Sequence, residues 1–195
     1  VSLSGDAGDE LFTGYERYFM GKKIWDRIRP LPHFARQGLA GALTLLPPSA
    51  INALVSPGKA LLPEKWRHVS IGDKVHKLAE VLRTEEPVDM YQNLVSHWKA
   101  PHEVVIGGHE PLTALTDKGQ WPRVPDFSHR MMHLDMETYL PGDILTKVDR
   151  AAMAVSLEGR IPLLDPRVIE FAWKLPLSMK VRDGKGKRVL RQVLY

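Results

Sequence analysis

Residues 1–18, VSLSGDAGDELFTGYERY, change character three times within a few positions. Val1 and Leu3 alternate with Ser2 and Ser4, the period of a strand with one buried face. Gly5 and Gly8 permit a sharp turn, and Leu11, Phe12, Tyr15 and Tyr18 then recur at helical spacing. A strand, a turn and a helix in that order aim the turn's N–H groups and side chains at one point beyond the strand end. Asp6 lies three residues before Asp9 and four before Glu10, so a helix starting near Asp6 would carry all three acids on one face. Two uses of such a turn follow. Acids in a first helical turn complement the macrodipole and make an ordinary cap. Alternatively Ser4 and the glycine amides hold a phosphate while one acid binds the accompanying Mg2+, because a bare carboxylate beside a phosphate repels it. An EF-hand loop is excluded, since the residue two after Asp6 is Gly8.

At 195 residues the chain can build one core, or one core with an appended subdomain. Hydrophobic residues at 44% and charged residues at 26% match a globular protein rather than a disordered one. The net charge of +4 suits an anionic small molecule such as a nucleotide, and no basic cluster interleaved with aromatics points to nucleic acid. The absence of cysteine removes disulfides, thiolate catalysis and cysteine metal sites, and agrees with a reducing compartment. The first residues form neither a basic n-region nor an apolar h-region, so no signal peptide is expected. Because Val1 opens directly on a motif and a helical pattern runs to Tyr195, the expectation is an excised segment of a longer protein.

The helical pattern continues through Phe19, Ile24, Trp25 and Ile28 to about Arg29, where Pro30 and Pro32 end it. Another helix is expected from Phe34. No charge occurs between Arg36 and Lys59, but Pro47, Pro48, Ser49 and Asn52 divide that run, which predicts two short buried helices rather than a membrane span. Further helices are predicted after Asp73 and from Pro87. His97 and Trp98 follow as candidate pocket residues, and residues 101–125 read as a long loop. Residues 126–140 predict a helix with His129 and His133 one turn apart. Arg130 stands where a zinc metalloprotease needs Glu, which argues for helix packing rather than a metal site.

The second informative cluster begins at Tyr139. Pro141 and Gly142 precede a helix for which Asp143 is the expected cap or first-turn residue, with Lys147, Asp149 and Arg150 on it. Glu158 and Arg160 are an expected ion pair, and Asp165-Pro166 is a strong helix start. Near the end, Asp183–Gly186 predicts a turn into a helix with Lys187 and Arg188 in its first turn and Val189, Leu190, Val193 and Leu194 inward. Cations there oppose the macrodipole, and a bound polyphosphate would compensate them.

Three of these stretches share one resemblance. LSGDAGDELFTGYERY resembles the glutamine-dependent asparagine synthetase motif LSGDGGDELFGGYxRY, with Ala7 and Thr13 where glycine is common. Ala7 matters only if that position needs a positive φ. YLPGDILTKVDRAAMAVSLEGRIPLLDPRVIEFAWKLP is similar to the family's helical segment, and KRVLR to its KxxLR motif. The resemblance covers residues 1–18 and 135–195, leaving 19–134 as a helical insert within one partial synthetase domain. It implies an α/β, adenine nucleotide alpha-hydrolase-like (PP-loop) domain, of which this chain should be mostly helical with one short strand. It also implies roles: Ser4 and Gly5 touch ATP, Asp9 binds Mg2+-pyrophosphate, Lys187 stabilises charge on the α-phosphate, and Asp6 or Asp143 accepts a proton. The implied reaction joins aspartate to ammonia released from glutamine by a glutaminase domain of the same protein, in the cytoplasm, with no nucleic-acid or membrane partner, and a homodimer is compatible with it. The family's SGGxDS loop is not in this sequence, so amide synthesis by these 195 residues alone is not expected. Two other readings stay open: ligation on a sugar, peptide or β-lactam precursor, and a non-catalytic helical interaction module.

Overall fold

A computed structural model describes residues 1–61, 70–96, 98, 101–124 and 126–194. His97, the first of the two candidate pocket residues, lies outside them, and Trp98 is exposed. The chain is mostly helical and divides into two compact units, Val1–Lys23 with Ser96–Tyr195, and Ile24–Val95.

The first unit is threaded from both ends of the chain. Strand β1 (Ser2–Leu3) pairs in parallel with β2 (Gly159–Arg160), Ser2 opposite Gly159 and Leu3 opposite Arg160. Ser2 N–H donates to Glu158 O and Ser4 N–H to Arg160 O, both at 2.9 Å. The second strand is not foreseen by the periodicity, because Glu158-Gly-Arg160 is short and polar. The expected burial of the opening strand also fails, since Val1 and Leu3 are about four-fifths exposed.

After β1 come α1 (Gly8–Phe12) and α2 (Glu16–Ile28). The single helix expected from the Leu11–Tyr18 spacing is thus broken, because Thr13 takes the left-handed conformation at the end of α1, with φ 62°. Helix α2 stops before Pro30, as proline requires.

In the second unit α3 (His33–Leu43), α4 (Pro48–Val55), α5 (Ile71–Arg83) and α6 (Pro87–Val95) follow. Ile28, Ala40, Ala79 and Leu82 form its core, with Trp25, Leu43 and Val81 against them. Helix α5 approaches α4 closely at Gly72, where a Cβ would lie 2.2 Å from Pro48 O. The uncharged run does form two short helices, yet α4 contains no buried residue and Phe34 and Leu54 are exposed, so the expectation of burial is corrected. Among the described residues no single helix is long and apolar enough to cross a membrane, although His33–Leu43 and Pro48–Gly58 pass such a test as a pair bent by 70°.

Back in the first unit, α7 (Phe127–Glu137) is capped by Asp126, whose carboxylate accepts from Ser128 and His129 N–H. A π-helical turn (Leu140–Leu145) leads into α8 (Thr146–Met153), followed after β2 by α9 (Pro166–Lys174), α10 (Leu177–Lys180) and α11 (Arg188–Leu194). Asp165 caps α9 as expected, accepting from Arg167 N–H. The core gathers Ala7, Leu11 and Phe12 from the opening motif with Leu140, Ala172 and Leu175, and Val189 and Leu190 pack on it. Val193 and Leu194, expected inward, are exposed.

Candidate functional site

The opening turn is bent by backbone conformation rather than by a side-chain cap. Ala7 stands before α1 with φ 66° and ψ −9°, so the helix starts at Gly8 and Asp6 lies outside it. The three acids therefore do not share a helical face. Asp6 and Ser4 hydrogen-bond to each other through Ser4 Oγ and the Asp6 carboxylate, and Asp6 N–H also donates to Ser4 Oγ at 3.2 Å. Glu10 is buried and accepts from Tyr15 OH at 3.0 Å, and burial holds its carboxyl above the usual carboxylate range. Only Asp9 of the α1 acids is turned outward enough to meet a ligand, its side chain 36% exposed.

Asp9 is met by Lys187, whose Nζ lies 2.9 Å from Asp9 Oδ1. Three backbone features bring these distant residues together. Lys187 N–H donates to Phe12 O at 2.9 Å, at the end of α1. Gly186 is packed so closely on the chain there that a Cβ would fall 1.8 Å from Thr13 O. Thr13 and Lys187 both take positive φ, 62° and 57°. Lys187 consequently precedes α11 instead of occupying its first turn, and its cationic head is compensated by Asp9. Gly14 completes the fit: a Cβ there would meet Asp9 Oδ1 at 1.7 Å and Lys187 Cε at 2.6 Å. On the other side, a Cβ on Gly8 would stand 3.1 Å from Leu163 and 4.0 Å from Lys187 Nζ.

Beneath this pair lies a polar knot with no local signal in the sequence. Asp135 on α7 is fully buried and accepts from Arg17 Nε at 3.1 Å, from Arg17 Nη2 at 2.6 Å and from Tyr18 OH. Arg17 stacks on Tyr15, its guanidinium 4.1 Å from the ring centroid, and on Tyr139 at 5.2 Å. The knot fixes α2 to α7 and so holds the segment following Gly14.

The remaining expected site residues are placed differently. Asp143 is in the first turn of the π-helical segment rather than its cap, because the segment already starts at Leu140, with Tyr139 at the cap position and Gly142 N–H donating to Thr138 O. Its carboxylate is joined to Lys147 Nζ at 2.9 Å, one turn along, and is 44% exposed. The structure thus brings Asp9 and Lys187 into contact, and Ser4 and Asp6, while Gly5 is an exposed part of the same turn. His129 and His133 both pack against Trp173, ring centroids 6.0 and 5.9 Å away. Fully buried Lys180 places its Nζ 5.1 Å from the same ring centroid, and burial pulls its pKa down to about 8. Among the described residues no group of three His, Asp or Glu stands together as a metal cage.

A parallel strand pair feeds a carboxylate-bearing turn, and a lysine is delivered to that turn from a distant loop. The chain belongs to the asparagine synthase family, which matches it over residues 1–195. A Mycobacterium bovis protein provisionally named asparagine synthetase (glutamine-hydrolyzing) is 31% identical across 100% of the chain. Bacillus subtilis asparagine synthetase (glutamine-hydrolyzing) 1 is 29% identical across 98% of it. A third relative, B. subtilis asparagine synthetase (glutamine-hydrolyzing) 3, is 35% identical over 33% of the chain and 10% of its own length. The chain spans 27% of the length of the first two. No solved structure matches it.

Proposed function

We propose that this chain supplies one wall of the synthetase site in a glutamine-dependent, amide-forming ligase, and that the parent reaction makes asparagine from aspartate. The observation carrying this reading is the 2.9 Å contact between Lys187 Nζ and Asp9 Oδ1, formed by the two motifs farthest apart in the chain. In the reaction the aspartate side-chain carboxylate attacks the α-phosphorus of ATP, the bond to the bridging oxygen breaks, and acyl-adenylate and pyrophosphate form. Ammonia released by a glutaminase domain then adds to the acyl carbon, loses a proton and expels AMP.

The residues suit these demands. Mg2+ prefers near-octahedral oxygen ligation and usually takes one or two carboxylates, completing its shell with phosphate oxygens and water. Asp9 offers a half-exposed oxygen donor of that kind, and such an ion would supply charge neutralisation on the pyrophosphate. Lys187 is already held at the carboxylate that would hold the ion, so its ammonium can exchange Asp9 for an α-phosphate oxygen with little movement, giving preorganised stabilisation of developing charge. Ser4 and the exposed Gly5 offer a hydroxyl and an N–H to the nucleotide. Asp6, which shares the turn with Ser4 and Gly5, is our candidate to take the amine proton in preference to Asp143, which lies on a different segment and pairs with Lys147.

The test is aspartate-dependent AMP formation by the full-length protein. Lys187→Met should lower kcat at least about 100-fold, the scale for losing a preorganised donor at developing charge. Asp6→Asn should cut turnover far more than Asp143→Asn. A protein that turns over ATP with another carboxylate but not aspartate would shift the reading to a different acceptor. Absence of ATP turnover with any carboxylate would leave the non-catalytic module.

A further inference from the structure

The loop between α10 and α11 is strongly cationic, and its backbone is held in a defined turn. Arg182 and Lys185 close a hairpin by reciprocal backbone bonds, Arg182 N–H to Lys185 O at 3.1 Å and Lys185 N–H to Arg182 O at 2.9 Å. Between them Asp183 and Gly184 have φ of 52° and 73°, the left-handed pair that makes a rigid two-residue turn. On α11 Arg188, Arg191 and Gln192 stand three and four residues apart and share one face. Hairpin and helix together surround an open hollow of about 410 Å3 lined by Arg182, Asp183, Lys185, Arg188, Arg191 and Gln192. That volume falls in the range of small-molecule sites, about 300–1,000 Å3.

Two of the guanidiniums are anchored by backbone carbonyls: Arg188 Nη1 donates to Ser178 O at 2.9 Å and Arg191 Nε to Gly186 O at 3.1 Å. Each keeps further N–H groups for another acceptor. Against four cations the lining holds one acid, Asp183, which is largely exposed and stands 3.7 Å from Arg182 Nε. Like charges gathered around one hollow repel unless an anion joins them. Planar guanidiniums pair bidentately with phosphate or carboxylate oxygens, and a phosphate group, with up to two negative charges and three acceptor oxygens, neutralises a ring of several cations better than a single carboxylate does. The aliphatic stems of the same side chains supply apolar wall for the rest of a small ligand.

We propose that this hollow binds a phosphate-bearing small molecule at a site separate from the Asp9–Lys187 pair. Neither Asp9 nor Lys187 lines it, and Lys187 Nζ points to Asp9 Oδ1 at 2.9 Å. An acidic protein segment is the lesser fit, since the hollow has the volume of a metabolite and its walls come from two short elements.

The experiment is calorimetric titration of the full-length protein, without ATP or Mg2+, using inorganic phosphate, glucose 6-phosphate and a triglutamate peptide as probes. Saturable binding of a phosphate probe is expected. It should weaken about tenfold in Lys185→Gln and in Arg188→Gln, the scale for losing one charge-assisted hydrogen bond, and be unchanged in Lys187→Met. Lys185 is exposed, so its variant tests the site even if Arg188→Gln disturbs the loop. The proposal is overturned if neither phosphate probe saturates, or if the peptide binds where they do not. It is equally overturned if binding falls in Lys187→Met but survives in Lys185→Gln, which would assign the phosphate to the site already described.

Discussion

Ala7 and Thr13 are the two positions at which the opening motif departs from its family's glycines, and both have positive φ. The left-handed conformation costs a residue bearing a Cβ roughly 1–2 kcal/mol, which is the physical reason glycine suits those positions. At Ala7 the methyl is buried and returns about 0.8 kcal/mol. Ala7→Gly should therefore raise stability modestly, by up to about 1 kcal/mol in urea unfolding; a loss of that size would contradict the conformational account. Thr13 is held further by its hydroxyl, which donates to Met132 Sδ at 3.3 Å. Gly14 presents the opposite case. Its φ is ordinary, but a Cβ would overlap Asp9 and reach Lys187 Cε at 2.6 Å. Gly14→Ala should leave the fold near native and lower kcat of the full-length protein about 100-fold, the scale of an ångström's misplacement in a catalytic group. Unchanged turnover would mean that the pair is not used.

The short helix α10 ends on Lys180, fully buried and, among the described residues, with no hydrogen-bond partner for its Nζ, which faces the Trp173 ring. In the native protein burial lowers its pKa to about 8, against about 10.4 in an unfolded chain. The native state binds this proton less tightly. Between about pH 8 and 10.5 the unfolded state holds more protons, so this residue's contribution makes stability rise with pH across that window, and below it the full penalty remains. Lys180→Met should stabilise the protein at pH 7 by about 1–3 kcal/mol and remove that slope. Denaturant titrations at pH 7 and pH 10 measure both, and a variant less stable than wild type at pH 7 would show that the ammonium is satisfied. The pairing of β1 with β2 belongs to this scale too. Periodicity located the first strand but misjudged its burial, because alternation reports which residues could share a covered face and not whether anything covers it.

Across the whole first unit, the chain is tied together by Asp135, which accepts from Arg17 and Tyr18 more than a hundred residues away in sequence. Removing a buried acceptor strands its donors, so Asp135→Ala should cost about 3 kcal/mol in stability, read as a lowered midpoint of chemical unfolding. A cost under about 1 kcal/mol would place the strength of the unit in its apolar core instead. Much of the molecule is legible in the sequence: Pro30 and Pro32 ending α2, Asp165 capping α9, and the long loop after residue 101 all follow from local chemistry. Asp9 and Lys187 are singled out only through the resemblance to the family motifs, because composition leaves Asp6, Asp9 and Glu10 as equivalent acids of one turn. What the sequence alone settled is therefore what each residue can do: carry charge, turn the backbone, or fill a core. Tertiary structure decided who meets whom. It joined Lys187 to Asp9 through Phe12 O and Gly186, turned Glu10 inward, gave Asp143 to Lys147, and set Glu158-Gly-Arg160 beside the opening strand, because those contacts depend on close backbone approach between segments that no local pattern can register.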